Sequence, residues 1–168
     1  MTLQTILETE RLTLREFNTT DADFILLLLN TPTWLKFIGD KNVHSSEDAE
    51  HYLINGPLKS YRENGFGLWL VLLKDSSISI GMCGLVQRDY LQDVDIGFAL
   101  MPEYEGKGYG FEMANATMIH SRKNLQIKSV VAITDANNSS SIKLLNKLGL
   151  HYEKPVKSAE GDEVLLFS

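Results

Sequence analysis

The sequence predicts an α/β fold, with one mixed, twisted sheet and helices on both faces. Three observations carry this. Short apolar runs, several rich in β-branched residues, recur along the chain. Stretches of helical period lie between and after them. Three consecutive strand-like runs are followed by a helix, strand, helix, strand order, which suits a sheet with both antiparallel and parallel neighbours. The 168 residues, 43% hydrophobic and 23% charged, fit a single domain over residues 1–168. No repeat, low-complexity tract or Pro/Gly/Ser-rich linker divides the chain.

The elements follow in order. Leu12, Leu14 and Phe17 alternate with polar residues over Arg11 to Phe17 and predict a half-buried strand. Thr20 or Asp21 caps a helix running to about Asn30, and Ser45 or Ser46 caps a second one through Leu53, which Pro57 ends or bends. Gly67 to Lys74 and Ile78 to Val86 are apolar runs joined by Asp75-Ser76-Ser77, a hairpin signal. Asp93 to Met101 is the next strand. From Gly108 the period changes: Phe111, Ala114 and Met118 share a helical face. Val130 to Thr134 is a β-branched strand. Asn138 opens a helix with Ile142, Leu145 and Leu148, and Gly149 stops it. Leu150 to Tyr152 and Val164 to Phe167 close the sheet.

Composition excludes some function classes. The net charge is −6 and no basic tract is dense, which argues against nucleic acid as a partner. The apolar stretch Phe24 to Leu29 is far too short to span a membrane, and no secretory leader is legible, so a cytoplasmic protein with no membrane partner is expected. The one cysteine, Cys83, sits in a strand and reads as a buried packing residue. His44, His51, His120 and His151 show no metal-ligand spacing, so no metal is expected.

The most informative segment runs from Ile96 to Glu112. A strand feeds a turn with glycines at 106, 108 and 110, and a helix begins there. The first turn of a helix exposes amides without internal partners, and glycines let a phosphate approach them. Lys107 adds a cation at the rim. A plain connecting turn is the alternative. A dinucleotide fingerprint needs an acidic residue about 20 positions on, and that position falls near Val130 in an apolar strand. A P-loop needs Ser or Thr after Gly-Lys, but Gly108 follows Lys107.

Glu105-Gly106-Lys107-Gly108-Tyr109-Gly110 resembles the pyrophosphate-binding motif of GNAT-superfamily acetyltransferases: Gln or Arg, two residues, Gly, any residue, Gly or Ala. The departure is Glu105 at the first position. Thr134 to Leu150 resembles the family's later strand–Asn–helix–Gly segment. Glu8-Thr9-Glu10-Arg11-Leu12-Thr13-Leu14-Arg15 is similar to the opening of its RimJ/RimL-type branch, whose best-known members acetylate ribosomal-protein N-termini. The resemblance covers roughly the whole chain. It implies a sheet of about seven strands, splayed in the middle, with about four helices and acetyl-CoA in the cleft. It implies cosubstrate contacts at Phe98, Ala99 and Leu100 of the splayed strand, at Glu105, Gly106, Lys107, Gly108, Tyr109 and Gly110 of the loop, and at Asn138 and Ser141.

The activity so implied is N-acetyl transfer to a primary amine: a protein N-terminus, an amino acid, a polyamine or another small amine. The acceptor must lose a proton before attack. Asp95 stands where this branch often has Glu and is the candidate base, or a carboxylate that only orients the acceptor; Asp93, two residues earlier on the same face, is the reserve. Many family members carry a Tyr on the last helix to meet the departing sulfur. Leu145 replaces it here, which leaves Ser141 as the candidate donor or as a simple helix-start serine. The segments Thr31 to His51 and Arg88 to Gln92 are expected to cover the acceptor site, with Trp34, Phe37 and Tyr90 either lining it or packing in the core. A non-catalytic acyl-CoA-binding module is the competing function, and the resemblance leaves room for a homodimer.

Overall fold

A computed structural model describes residues 3–168. Eight strands form one sheet in the order β1-β2-β3-β4-β5-β6-β8-β7. They are β1 (Thr5–Glu8), β2 (Leu12–Arg15), β3 (Leu68–Leu73), β4 (Ser79–Val86), β5 (Val94–Leu100), β6 (Val130–Thr134), β7 (Tyr152–Lys157) and β8 (Glu163–Phe167). The helices are α1 (Ala22–Leu29), α2 (Pro32–Phe37), α3 (Ser46–Asn55), α4 (Pro57–Asn64), α5 (Tyr109–Lys123) and α6 (Ser139–Lys147). The mixed sheet with helices on both faces is as expected; against about seven strands and four helices, the described residues form eight and six. The additions are β1, α2 and α4. Pro57 begins α4 rather than ending α3, because the first helical position needs no N–H.

The side chains of β3 alternate between two cores. Trp69 and Val71 join Leu12, Leu14, Met113, Ala114, Met118 and Leu145 under α5 and α6. Leu70 joins Phe17, Ile25, Leu28, Trp34 and Leu53 under α1, α2 and α3. A bulge where the β3–β4 register shifts after Val71 lets Ile80 share the α5 face with Cys83 and Leu85, which straight alternation would forbid. Cys83 is fully buried there; burial pushes its thiol up to about 12, and Sγ lies 3.4 Å from Thr117 Oγ1.

The feature that makes a site is the junction of β5 and β6. These neighbours are parallel, and only Val94 with Val130 and Asp95 with Val131 are in register. Beyond them β5 continues to pair with β4 through Leu100, while β6 turns to pair with β8 from Ala132 on. The two strands therefore part as a V, and one edge of β5 from Ile96 onward meets no described strand. The splay expected in the middle of the sheet is present. No described helix is long and apolar enough to cross a membrane.

Candidate active site

The glycine loop closes one side of the V. Gly106 and Gly108 adopt left-handed φ values of +71° and +86°, and α5 starts at the next residue, Tyr109. Among the described residues no acceptor meets the backbone amides of 107–111; the first amide of this turn with a protein partner is Glu112, which donates to Gly108 O at 3.1 Å. Successive free amides at a helix start fit a pyrophosphate. Gly110 sits against Leu144 and Leu100 at ordinary contact distances, so an added methyl would fit, as the Gly-or-Ala tolerance of the motif requires. Glu105 is exposed and has no ion pair among the described residues.

Arg11 braces this loop, a role its sequence position does not disclose. Its Nε donates to Glu112 Oε2 at 2.7 Å, its Nη1 donates to Lys107 O at 3.1 Å, and its guanidinium lies 4.3 Å from the Tyr109 ring centroid. Glu112 in turn accepts from the Arg11 amide at 2.9 Å and from Thr9 Oγ1 at 2.6 Å. These hydrogen bonds hold the carboxyl of Glu112 below the usual range against the opposing effect of its burial.

The other side of the V opens onto a cavity of about 1190 Å³. Phe98, Asn138 and Ser141 line it; Ala99, Leu100 and the glycine loop lie outside it. Asn138 caps α6 by accepting from the Ser141 amide at 3.2 Å, which leaves the Ser141 hydroxyl without a protein partner among the described residues. Leu145 is fully buried in the α5–α6 core and does not line the cavity. The expected acceptor segments do converge: Trp34, Phe37, Arg88 and Tyr90 all line the cavity.

Asp95 lies at the apex of the V, in the last β5–β6 pair, and is 1% exposed. Its parity on β5 matches Ala99, so it points toward the α1–α3 side. Arg88 Nε donates to Asp95 Oδ2 at 2.6 Å, whereas Oδ1 is buried and makes no hydrogen bond, the Ile133 amide standing near the carboxylate without reaching hydrogen-bond geometry. Burial pushes the carboxyl up to about 6; the charge and hydrogen bond of Arg88, and more weakly the Ile133 amide, pull it down. Tyr52 lines the same cavity with its phenol pushed up to about 12 by burial, so it stays neutral. Asp93 is only half-buried and does not line the cavity. The sequence placed Arg88 at the acceptor loop but gave no sign of its pairing, which only the approach of the β4–β5 connection to β5 creates.

A splayed sheet with free amides at a helix start on one side and a buried carboxylate at its apex is the arrangement that the family match explains. The family described as the acetyltransferase (GNAT) domain matches residues 11–151, so the chain belongs to the GNAT family and is an acetyl-CoA-dependent acyltransferase. It is 27% identical over 161 residues to YkkB of Bacillus subtilis, covering 94% of this chain and 91% of that one. It is also 27% identical to the Bacillus subtilis N-acetyltransferase YoaA, covering 88% and 84%. Among solved structures, RimL, the ribosomal L7/L12 alpha-N-protein acetyltransferase in complex with coenzyme A, superposes with a TM-score of 0.82 at 20% identity, covering 98% and 96%. At that identity the likeness shows the fold.

Proposed function

We propose that this chain transfers an acetyl group from acetyl-CoA to a primary amine by direct attack, with Asp95 receiving the amine proton. The observation that carries this is Asp95 Oδ1: a buried carboxylate oxygen with no partner, on a residue lining the cavity at the apex of the V. A buried acceptor without a donor costs free energy unless a ligand N–H meets it. An acceptor ammonium supplies that donor, and a carboxyl held near 6 is ionised at neutral pH and able to take a proton directly or through water. RimL, named as an alpha-N-protein acetyltransferase, shares the fold, which supports an amine acceptor.

The remaining roles follow from position. The amides of 107–111 hold the pyrophosphate, with Lys107 at the rim and Arg11 bracing the loop from β2. The open edge of β5 at Phe98, Ala99 and Leu100 presents backbone groups to the extended arm of the cosubstrate and to the thioester carbonyl oxygen. The amine nitrogen forms the new C–N bond, the C–S bond breaks, and the Ser141 hydroxyl donates to the departing sulfur.

The test is thiol release from acetyl-CoA with a panel of amines. Acceptor-stimulated release with formation of the N-acetyl product is expected. Coenzyme A binding in calorimetry with no release for any amine would sink the proposal and leave a binding module in its place.

A further inference from the structure

We infer that the acceptor carries a second positive charge besides the reacting amine, a reading that rests on the proposed amine acetylation and narrows it. The cavity lining holds eight acidic and four basic residues, so a surplus of four negative charges lines one cavity in a chain of net charge −6. Most of the cations there are already engaged. Lys41 pairs with Glu160 at 3.5 Å, Lys59 with Glu63 at 3.9 Å and Arg88 with Asp95 at 2.6 Å; Lys36 alone has no carboxylate partner among the described residues. On the acidic side Asp89, Asp135, Asp162 and Glu163 form no ion pair with any described residue.

Those four carboxylates come from three separate segments: the β4–β5 connection, the β6–α6 connection, and the β7–β8 hairpin with the start of β8. Their convergence on one cavity is a product of the fold, not of an acidic run in the sequence. Asp89, Asp162 and Glu163 are exposed and Asp135 is half-buried, so they form a rim, whereas Asp95 lies inside with Oδ1 unpartnered. The buried oxygen marks where the reacting nitrogen docks. The rim marks where further charge is welcome. A cleft of one sign between low-dielectric walls focuses its field and concentrates ligands of the opposite sign.

One ligand chemistry fits both levels: a primary amine with a second cationic group within reach of the first. A free diamine or polyamine has it, and so does a polypeptide N-terminus with Lys or Arg close behind. In the reaction the inner nitrogen loses its proton toward Asp95 and forms the amide, while the outer cation stays protonated at the rim and leaves with the product.

The test compares kcat/KM for spermidine, a short peptide with Lys at its second position, the same peptide with Ala there, and butylamine. Either dicationic acceptor should exceed its monocationic match by about tenfold or more, and the better of the two identifies the source. That advantage should shrink severalfold at high salt and in the doubly substituted Asp162→Asn, Glu163→Gln protein, with the loss in KM rather than kcat. Equal kcat/KM for dicationic and monocationic acceptors overturns the inference while leaving amine acetylation standing. If no amine is turned over, spermidine binding to the coenzyme A complex decides. Binding that weakens in the double variant upholds the dication site, and no binding overturns it.

Discussion

Arg88 donates to one oxygen of Asp95 at 2.6 Å and leaves the other oxygen buried without a hydrogen bond, on a residue that lines the cavity. The two residues divide a problem between them. Burial at 1% exposure pushes this carboxylate toward its protonated form, in which it would be no base. A guanidinium on both oxygens would keep it ionised but occupied. One-sided pairing by Arg88, itself 34% exposed, keeps the group ionised at neutral pH with a free oxygen for the acceptor.

Asp95→Asn should lower turnover by roughly 10²–10⁴ at neutral pH, the usual worth of a positioned proton acceptor. Coenzyme A affinity should hardly change, because Asp95 lies away from the amides of the loop. In the native protein kcat/KM should fall as pH drops through about 6, where the carboxyl takes up its proton. The limb should vanish in the variant. Near-native turnover with the same limb would reduce Asp95 to packing.

Arg88→Met removes the two largest influences that lower the Asp95 carboxyl, so the acidic limb should move to higher pH. Arg88 also lowers the burial-raised phenols of Tyr52 and Tyr90, so both rise further in the variant and stay neutral, and neither adds a limb of its own near neutral pH. Arg88→Lys should give an intermediate limb. Stability follows the same sign. The folded state holds the Asp95 proton more tightly than the unfolded chain, so this group's contribution is fullest below the ordinary carboxyl value of 3.8 and is lost as pH rises through about 6. The Met variant should accordingly melt lower at neutral pH than at pH 5, measured against the native protein at each pH. An unmoved limb would show that Arg88 does not govern the base.

What the sequence disclosed was what is local. The glycine loop is contiguous, and its left-handed turns and helix start are written in adjacent residues. The alternation of β2, and the apolar runs of β3 and β4 on either side of a short polar turn, exposed those strands in the same way. β1 escaped because Ile6 and Leu7 are adjacent in a four-residue edge strand, with no alternation to read. α2 is six residues long, too short to show a period, although Thr31 as cap and Pro32 at the first position mark its start. Arg11 with Glu112, and the rim of Asp89, Asp135, Asp162 and Glu163, join segments far apart in the chain. Only the folded sheet creates them.

The loop predicts its own intolerance. At Gly108, φ is +86° and an added Cβ would meet Arg11 Nη2 at 3.2 Å. A β-branched residue pays the left-handed penalty of about 1–2 kcal/mol and also displaces the brace. Gly108→Val should therefore weaken coenzyme A binding at least tenfold in calorimetry while the protein stays folded. The cause is loss of the amide arrangement rather than a side chain filling the phosphate site. Glu105→Gln should bind as well as the native protein or better, since it removes an exposed negative charge beside the phosphate site. Native affinity in the Gly108→Val protein would place the pyrophosphate elsewhere.

The leaving group tests α6. Ser141 lines the cavity with a free hydroxyl, and its amide, not its side chain, is what Asn138 caps. Ser141→Ala therefore keeps the helix start and removes one donor. The expected loss in turnover is modest, equivalent to about 1.5–3 kcal/mol for one hydrogen bond to a charged group. Acetyl-CoA affinity should fall as well if the hydroxyl also contacts the bound cosubstrate. The complementary variant, Leu145→Tyr, should fail to supply a donor. Leu145 is fully buried on the core face of α6, so a phenol there overpacks the core by about 1–3 kcal/mol and lowers the melting temperature without reaching the cleft. The pair of variants separates two views of the helix. If the serine meets the sulfur, Ser141→Ala slows turnover and Leu145→Tyr costs stability alone. A Ser141→Ala enzyme with native turnover and affinity would leave solvent as the proton source, and a faster Leu145→Tyr enzyme would show that position 145 does reach the cleft.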